Sequence, residues 1–264
     1  MQIGFIGLGN MATAIIGGLL SKGNITPDKI IGSDKTEESK RKAEESFGIR
    51  IAADNRQTAE ESDVLFLAVK PQFLSAALQG VRDVINKDTV IISIAAGKTI
   101  SWLEQELGEE HKIIRCMPNT PALVGEGCTG VCPNSLVSEE ELFRAVELLN
   151  SFGRAHIVTE AMMDAVVAVS GSSPAYVFLF IEAMADGAVQ AGMSRAQAYE
   201  FAAQAVLGSA KMVLEMGKHP GELKDMVCSP GGTTIEAVKV LEEKGFRGAV
   251  MDAMEACVRR NREL

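Results

Sequence analysis

The chain begins MQIGFIGLGNMATAIIGGLL, and this opening limits its fold more than any other stretch. Ile3, Phe5 and Ile6 make a short apolar strand. Gly7, Gly9 and Ala12 follow as G-x-G-x-x-A, and Ala14-Ile15-Ile16 with Leu19-Leu20 then carry a helical period. A glycine triplet alone is weak evidence. One that closes a strand and opens a helix is the setting that a dinucleotide pyrophosphate requires. The first glycine makes the tight turn, the second lets the pyrophosphate approach the backbone, and the small third residue lets helix pack on strand.

The first ~155 residues continue this alternation of strand and helix. Strands are expected at 29–32, 63–69, 89–94, 112–117 and 155–158, with helices around 35–47, 73–86, 100–107 and 139–151. After Asp63, the run Val64-Leu65-Phe66-Leu67-Ala68-Val69 is continuously apolar, as a parallel strand buried on both faces must be. The fold class is therefore α/β, an N-terminal Rossmann-type doubly wound sheet followed by an all-helical part. Ligands bind such sheets beyond the carboxyl ends of the strands. Lys70-Pro71, Ala95-Ala96-Gly97 and Asn119-Thr120-Pro121 thus border the expected crevice. After the second strand, Asp34 stands near the position that binds a ribose 2′-hydroxyl and favours NAD. Ser33 and Lys35, with Lys40 and Arg41, could instead hold a 2′-phosphate, so NADH and NADPH both stay open.

A length of 264 residues suits two domains, expected at 1–160 (dinucleotide binding) and 161–264 (substrate binding and dimerisation). A net charge of −9 argues against nucleic acid or an anionic membrane as partner. Cys116, Cys128, Cys132, Cys228 and Cys257 include no C-x-x-C pair and no zinc-like spacing. No metal is expected, and the thiols read as reduced and mostly buried in a cytoplasmic protein. Met1 leads directly into the first strand, so no leader is expected. The apolar run 175–181 stops at Glu182 and is too short to cross a bilayer.

Beyond Met162 the strand pattern ends, and residues 164–191, 194–217, 233–244 and 246–262 read as helices rich in Ala, Gly, Met and Ser. Some hundred residues of such helices have little core of their own. Self-association through them is expected, as a dimer or a ring of dimers. Ser170-Gly171-Ser172-Ser173-Pro174-Ala175 reads as a break that brings hydroxyls and N–H groups into the cleft, and 218–221 as a turn. Ser229-Pro230-Gly231-Gly232-Thr233-Thr234 puts a glycine turn at a helix start near Thr233. Such an end binds a carboxylate or phosphate, because orphan N–H groups and the helix dipole both favour negative charge. The plainer alternative is a Thr-capped helix.

Taken in order, Phe5-Ile6-Gly7-x-Gly9-x-Met11-Ala12, Leu67 to Pro71, Ala95-Ala96-Gly97, Met117 to Pro121, Ser170-Gly171-Ser172-x-Pro174-Ala175-Tyr176 and Ser229 to Thr234 resemble pyrroline-5-carboxylate reductase from end to end. The resemblance implies reduction of the ring C=N of 1-pyrroline-5-carboxylate by NADPH, with NADH possible, giving L-proline. It implies a pyrophosphate site of Gly7, Leu8, Gly9, Asn10, Met11 and Ala12. Ser33, Lys35 and Asn55 would take the adenosine half, and Ala68, Val69, Lys70, Pro71, Ala95, Ala96 and Gly97 the nicotinamide half. The small-molecule substrate, with its carboxylate, would meet Ser229, Gly231, Gly232, Thr233, Thr234, Glu160 and Ser172, with Thr234 the catalytic hydroxyl near the ring nitrogen. Ser173 replaces the family's usual glycine, and would be strained if that position needs a positive φ. Other NAD(P)-dependent imine or hydroxyacid oxidoreductases share the glycine loop, but residues 170–175 lack the lysine the hydroxyacid enzymes use. A non-catalytic NAD(P)H sensor would not need the second anion site.

Overall fold

The structure, a computed structural model, describes residues 1–23 and 25–263. Its sheet has the order β3-β2-β1-β4-β5-β6-β7-β8. The strands are β1 (Ile3–Ile6), β2 (Ile30–Ser33), β3 (Arg50–Ile51), β4 (Val64–Leu67), β5 (Val90–Ser93), β6 (Lys112–Met117), β7 (Gly127–Pro133) and β8 (Gly153–Ile157). The first six are parallel, and β7 pairs antiparallel with β6. Order 3-2-1-4-5-6 is that of a dinucleotide-binding sheet. Alternate residues of the strands feed two cores. Phe5, Phe66, Ile92 and Ile114 lie in one; Ile6, Leu65, Leu67, Ile91 and Ile113 lie in the other. Phe5 and Phe66 are opposite each other in register and stack with centroids 4.7 Å apart.

The helices of this half are α1 (Asn10–Ser21), α2 (Glu37–Phe47), α3 (Asn55–Glu60), α4 (Pro71–Gln79), α5 (Ile100–Leu107) and α6 (Glu139–Leu149). Local chemistry sets their ends. Thr36, Asp54 and Thr99 cap α2, α3 and α5, and Ser138 with Glu141 forms a capping box on α6. The helix expected at 73–86 is shorter, because Gly80 closes α4. Two strands and one helix of this half were not expected: β3, β7 and α3. The glycines of β7 look like turn residues. A Cβ at Gly127 would lie 2.8 Å from the Phe152 carbonyl oxygen and one at Gly130 2.8 Å from Val166 Cγ1, so close packing excludes larger residues there.

Residues 170–175 are not a break. Helix α7 (Met163–Val166) runs into a π turn, Val167–Gly171, and then α8 (Ser173–Gln190). Ser172 N–H donates to the Val167 carbonyl at 2.8 Å, five residues back, as a π turn requires. Met117 Cε would lie 2.8 Å from a Cβ at Gly171. Among the described residues only glycines have positive φ, so Ser173 carries no such strain.

The chain divides into two compact units, Met1–Ser172 with Cys257–Leu264, and Ser173–Ala256. The second holds all of α8, α9 (Arg195–Met216), α10 (Pro220–Val227) and α11 (Thr233–Glu243), and the start of α12 (Phe246–Arg262). Residues 218–221, expected as a turn, instead start α10: His219 is its N-cap, Nδ1 accepting the Gly221 N–H at 3.0 Å. Buried apolar residues in this unit are only Ala185, Ala198, Ala202 and Leu223, while Phe178 (63%), Leu179 (67%) and Phe201 (66%) are exposed. The helical stretch Glu160–Gln190, 31 residues, is long and apolar enough to cross a bilayer by length and composition alone. The apolar run expected to stop at Glu182 lies in a helix that continues to Gln190. Of the thiols, Cys116 and Cys132 are buried and the other three half-buried, so "mostly buried" holds for two. Burial pushes the Cys116 thiol well up.

His111 is 3% exposed, and its Nδ1 has no hydrogen-bond partner among the described residues. Burial pushes its pKa below the ordinary 6.5. The unfolded chain takes up this proton at a higher pH than the folded one. Stability is therefore full above about pH 6.5 and declines as pH falls below it, until the folded value is passed. Melting temperatures across this window should fall more steeply for the native chain than for His111→Gln. Parallel curves would contradict the assignment.

Candidate active site

The expected cofactor loops do converge at the carboxyl ends of the central strands. Gly7 has φ +97, and a Cβ there would lie 2.8 Å from the backbone carbon and oxygen of Ala68. Glycine is thus required where the β1 and β4 loops meet. Gly7 N–H donates to the Ser33 carbonyl at 2.8 Å, and Ala68 N–H to the Ile6 carbonyl at 2.8 Å. Gly9 is different. It is the N-cap of α1, and a Cβ there would meet nothing within 4 Å. The protein's own packing does not ask for glycine at 9; a closely approaching ligand would. Helix α1 has no side-chain cap and no acidic residue in its first turn, so its N–H groups face outward for an anion. Gly9 and Asn10 are exposed, Met11 half-buried, and Leu8 and Ala12 buried.

Around the adenosine position, the Ser33 hydroxyl donates to Asn55 Oδ1 at 2.7 Å, which fixes both side chains at the head of β2. Lys35 is exposed. Lys40 pairs with Glu37 at 2.8 Å, and Arg41 lies on a solvated face beside Glu45 at 3.9 Å. Asp34 is committed to the protein. Its Oδ2 accepts Leu8 N–H at 2.8 Å, and its Oδ1 accepts the N–H and hydroxyl of Thr36, each at 2.9 Å. Asp34, which the sequence offered as a ribose ligand, also braces the glycine loop against the start of α2.

On the opposite flank, Ala68 and Val69 are half-buried, Lys70 is the exposed N-cap of α4, and Pro71 is its first residue. Ala95 is buried, and Ala96 and Gly97 are half-buried, with Gly97 at φ +74. Glu160 lies in the same unit. Its Oε1 accepts Ile100 N–H at 3.2 Å and pairs with Arg115 Nη1. Ser172 accepts the Cys257 thiol at 3.2 Å through its hydroxyl. Asn119, buried, donates to the Ser170 carbonyl at 3.0 Å and accepts Cys128 N–H at 2.8 Å, joining the β6 end, β7 and the π turn. Sequence spacing offered no sign of the roles of Arg115 or Asn119, because their partners are distant in the chain.

In the helical unit, Gly232 N–H donates to the Ser229 carbonyl at 3.0 Å. Pro230 and Gly231, at φ +67, fill the central positions of that turn, as a type II turn prefers. A Cβ at Gly232 would lie 2.3 Å from Ser229 Oγ, whereas one at Gly231 would meet nothing. Helix α11 starts at Thr233, as expected, but it is not Thr-capped. Its N-cap is Gly232, with no side-chain cap. The first N–H groups, with the Thr233 and Thr234 hydroxyls beside them, are left available to an anion.

These features define a Rossmann-type dinucleotide-binding protein with a helical second unit. A family model described as pyrroline-5-carboxylate reductase dimerisation matches residues 160–264, and one described as NADP oxidoreductase, coenzyme F420-dependent, matches 2–97. Pyrroline-5-carboxylate reductase of Escherichia coli K12 is 54% identical over 263 residues, covering 100% of this chain and 98% of its own. The Methanosarcina acetivorans enzyme of that name is 47% identical over 100% of this chain and 97% of its own. The solved structure of the Coxiella burnetii reductase superposes with a TM-score of 0.93 at 37% identity, covering 99% of this chain and 97% of that one. That of Plasmodium falciparum, with NADP bound, gives 0.91 at 32%, covering 100% and 97%. The chain belongs to the pyrroline-5-carboxylate reductase family.

Because a methyl at Gly9 meets no protein atom, Gly9→Ala should melt like the native chain yet bind NADPH at least about tenfold more weakly, a cost of about 1.4 kcal/mol. Titration calorimetry beside thermal melting checks this. A parallel loss of both would assign Gly9 to folding alone.

Proposed function

We propose that this chain reduces the ring C=N of 1-pyrroline-5-carboxylate to L-proline, the last step of proline biosynthesis, with NADPH as donor and NADH as the alternative. The observation that carries the reading is the uncapped start of α11 behind the Ser229–Gly232 turn. It is a ready carboxylate site in a chain whose full length is similar to reductases of this name.

The residues at the sheet's carboxyl ends fit a dinucleotide: the space at Gly9 and the uncapped α1 suit a pyrophosphate. In this reading Gly7 to Ala12 hold it, Ser33, Lys35 and Asn55 take the adenosine half, and Ala68 to Pro71 with Ala95 to Gly97 line the nicotinamide half. The bound cofactor supplies the hydride. The substrate carboxylate is held by the N–H groups of Thr233 and Thr234, with Ser229, Gly231 and Gly232 shaping the turn. The Thr234 hydroxyl orients the ring nitrogen. A protonated C=N is already electrophilic, so alignment and charge stabilisation suffice without a strong general acid. Glu160 Oε2 accepts no hydrogen bond from a described residue and is left for a substrate contact; Ser172 is a second candidate.

We assign residues 1–160 to the dinucleotide and 161–264 to substrate and self-association. The exposed apolar faces of α8 and α9 favour a second copy over a bilayer or nucleic acid, and a dimer is the smallest assembly that covers them. A ring of dimers and a cytoplasmic location go with the same reading.

Two measurements test it. Substrate-dependent loss of NADPH absorbance should appear in the native protein and drop about 10²-fold in kcat/KM in Thr234→Ala at unchanged melting temperature. No turnover with NADPH or NADH would overturn the reading. Leu179→Glu places a charge on the exposed apolar face and should halve the mass measured by light scattering, since burying each such side chain contributes about 2 kcal/mol.

A further inference from the structure

We propose that Arg115 is a positioning residue for the dinucleotide. Through Glu160 it sets the loop from Ala95 to Thr99, along which the nicotinamide half is expected to lie. The identity of the cofactor rests on the reductase reading above; the geometry stands by itself.

Arg115 lies on β6 opposite Cys132, with its side chain 8% exposed. A guanidinium so buried needs an anion. Among the described residues Glu160 is the one carboxylate in ion-pair range of it. The neighbouring Asp164 is committed elsewhere. It accepts Asn261 Nδ2 at 2.9 Å and Arg262 Nε at 2.6 Å, and the Arg262 guanidinium holds its carboxyl below the usual range. The same Glu160 oxygen that meets Arg115 accepts the Ile100 N–H. Ile100 is the first residue of α5, where backbone N–H groups lack intrahelical partners.

The loop before it is therefore held at both ends. At one end Ile94 N–H donates to the Leu67 carbonyl at 3.2 Å, inside the sheet. At the other, Glu160 grips Ile100. Between them Gly97 takes φ +74. Glu160 is 37% exposed at its side chain, and one backbone N–H at 3.2 Å would not keep a carboxylate from swinging into water. Arg115 supplies the second, charged hold. A buried ion pair is weak evidence for stability in itself. One that ends on the rim loop of a ligand crevice is a positioning device.

The chain carries its own reporter. Trp102 is its single tryptophan, lies in the first turn of α5, and has Lys98 Nζ 4.8 Å from its ring centroid. Quenching of Trp102 emission by NADPH gives the affinity, and quenching by acrylamide gives the mobility of the loop. Arg115→Met should weaken NADPH binding about tenfold and raise acrylamide quenching, because a small misplacement of a positioning loop is costly. The KM for NADPH should rise more than that for the imino acid. Arg115→Lys should recover part of the loss. If Arg115→Met does not fold, Arg115→Met with Glu160→Gln, which buries no lone charge, replaces it, with the same losses expected. Native NADPH affinity together with native acrylamide quenching in the variant overturns the proposal. Failure of the reductase reading appears separately, as no turnover by the native protein with its NADPH affinity intact.

Discussion

The nucleotide-binding half is organised around one close approach, that of Gly7 to the Ala68 carbonyl. It brings the first loop of the sheet onto the fourth strand with no room for a side chain between them. Everything at the crevice is arranged from there. The Gly7 N–H is spent on Ser33, whose hydroxyl is spent on Asn55, and the following Leu8 N–H is spent on Asp34. The chain's own groups satisfy the loop up to Leu8, and the N–H groups after Gly9 are left for an anion. Pre-organisation of this kind lets a ligand bind without first ordering the loop.

The helical unit follows the opposite rule. Its large side chains are on the outside and its few buried apolar residues are mostly alanines. Small residues let α8 and α9 approach each other, but they bury too little area to carry a fold alone. The missing apolar burial has to come from outside the chain. The family model that spans residues 160–264 is a dimerisation model, and self-association is what such a surface is for.

The parallel strands were legible because strands covered on both faces read as unbroken apolar runs, and β4 and β5 do. The glycine loop and the start of α11 were legible because glycine and proline mark turns by their backbone limits. β7 was not, since Gly127 and Gly130 are there for packing against Phe152 and Val166, far away in the chain. The π turn was hidden because helical register is a property of hydrogen bonds, not of composition. Asp34 stands where its spacing put it, but spacing did not show that its carboxylate also holds Leu8 and Thr36. Ser173 shows the reverse case, in which a feared backbone strain vanishes once the residue is seen to open a helix.

The hydrogen bond between Ser172 and Cys257 has a topological meaning. Ser172 is the last residue of the first unit before the chain leaves it, and Cys257 is the first on its return. The 173–256 stretch therefore departs and comes back through one point, like an inserted cassette whose ends already meet. The sheet is continuous without it, and the entropy of closing such an excursion grows only slowly with its length. Helices in this stretch can be lengthened, shortened or exchanged while the two anchoring residues, and the nucleotide crevice of the first unit, stay as they are.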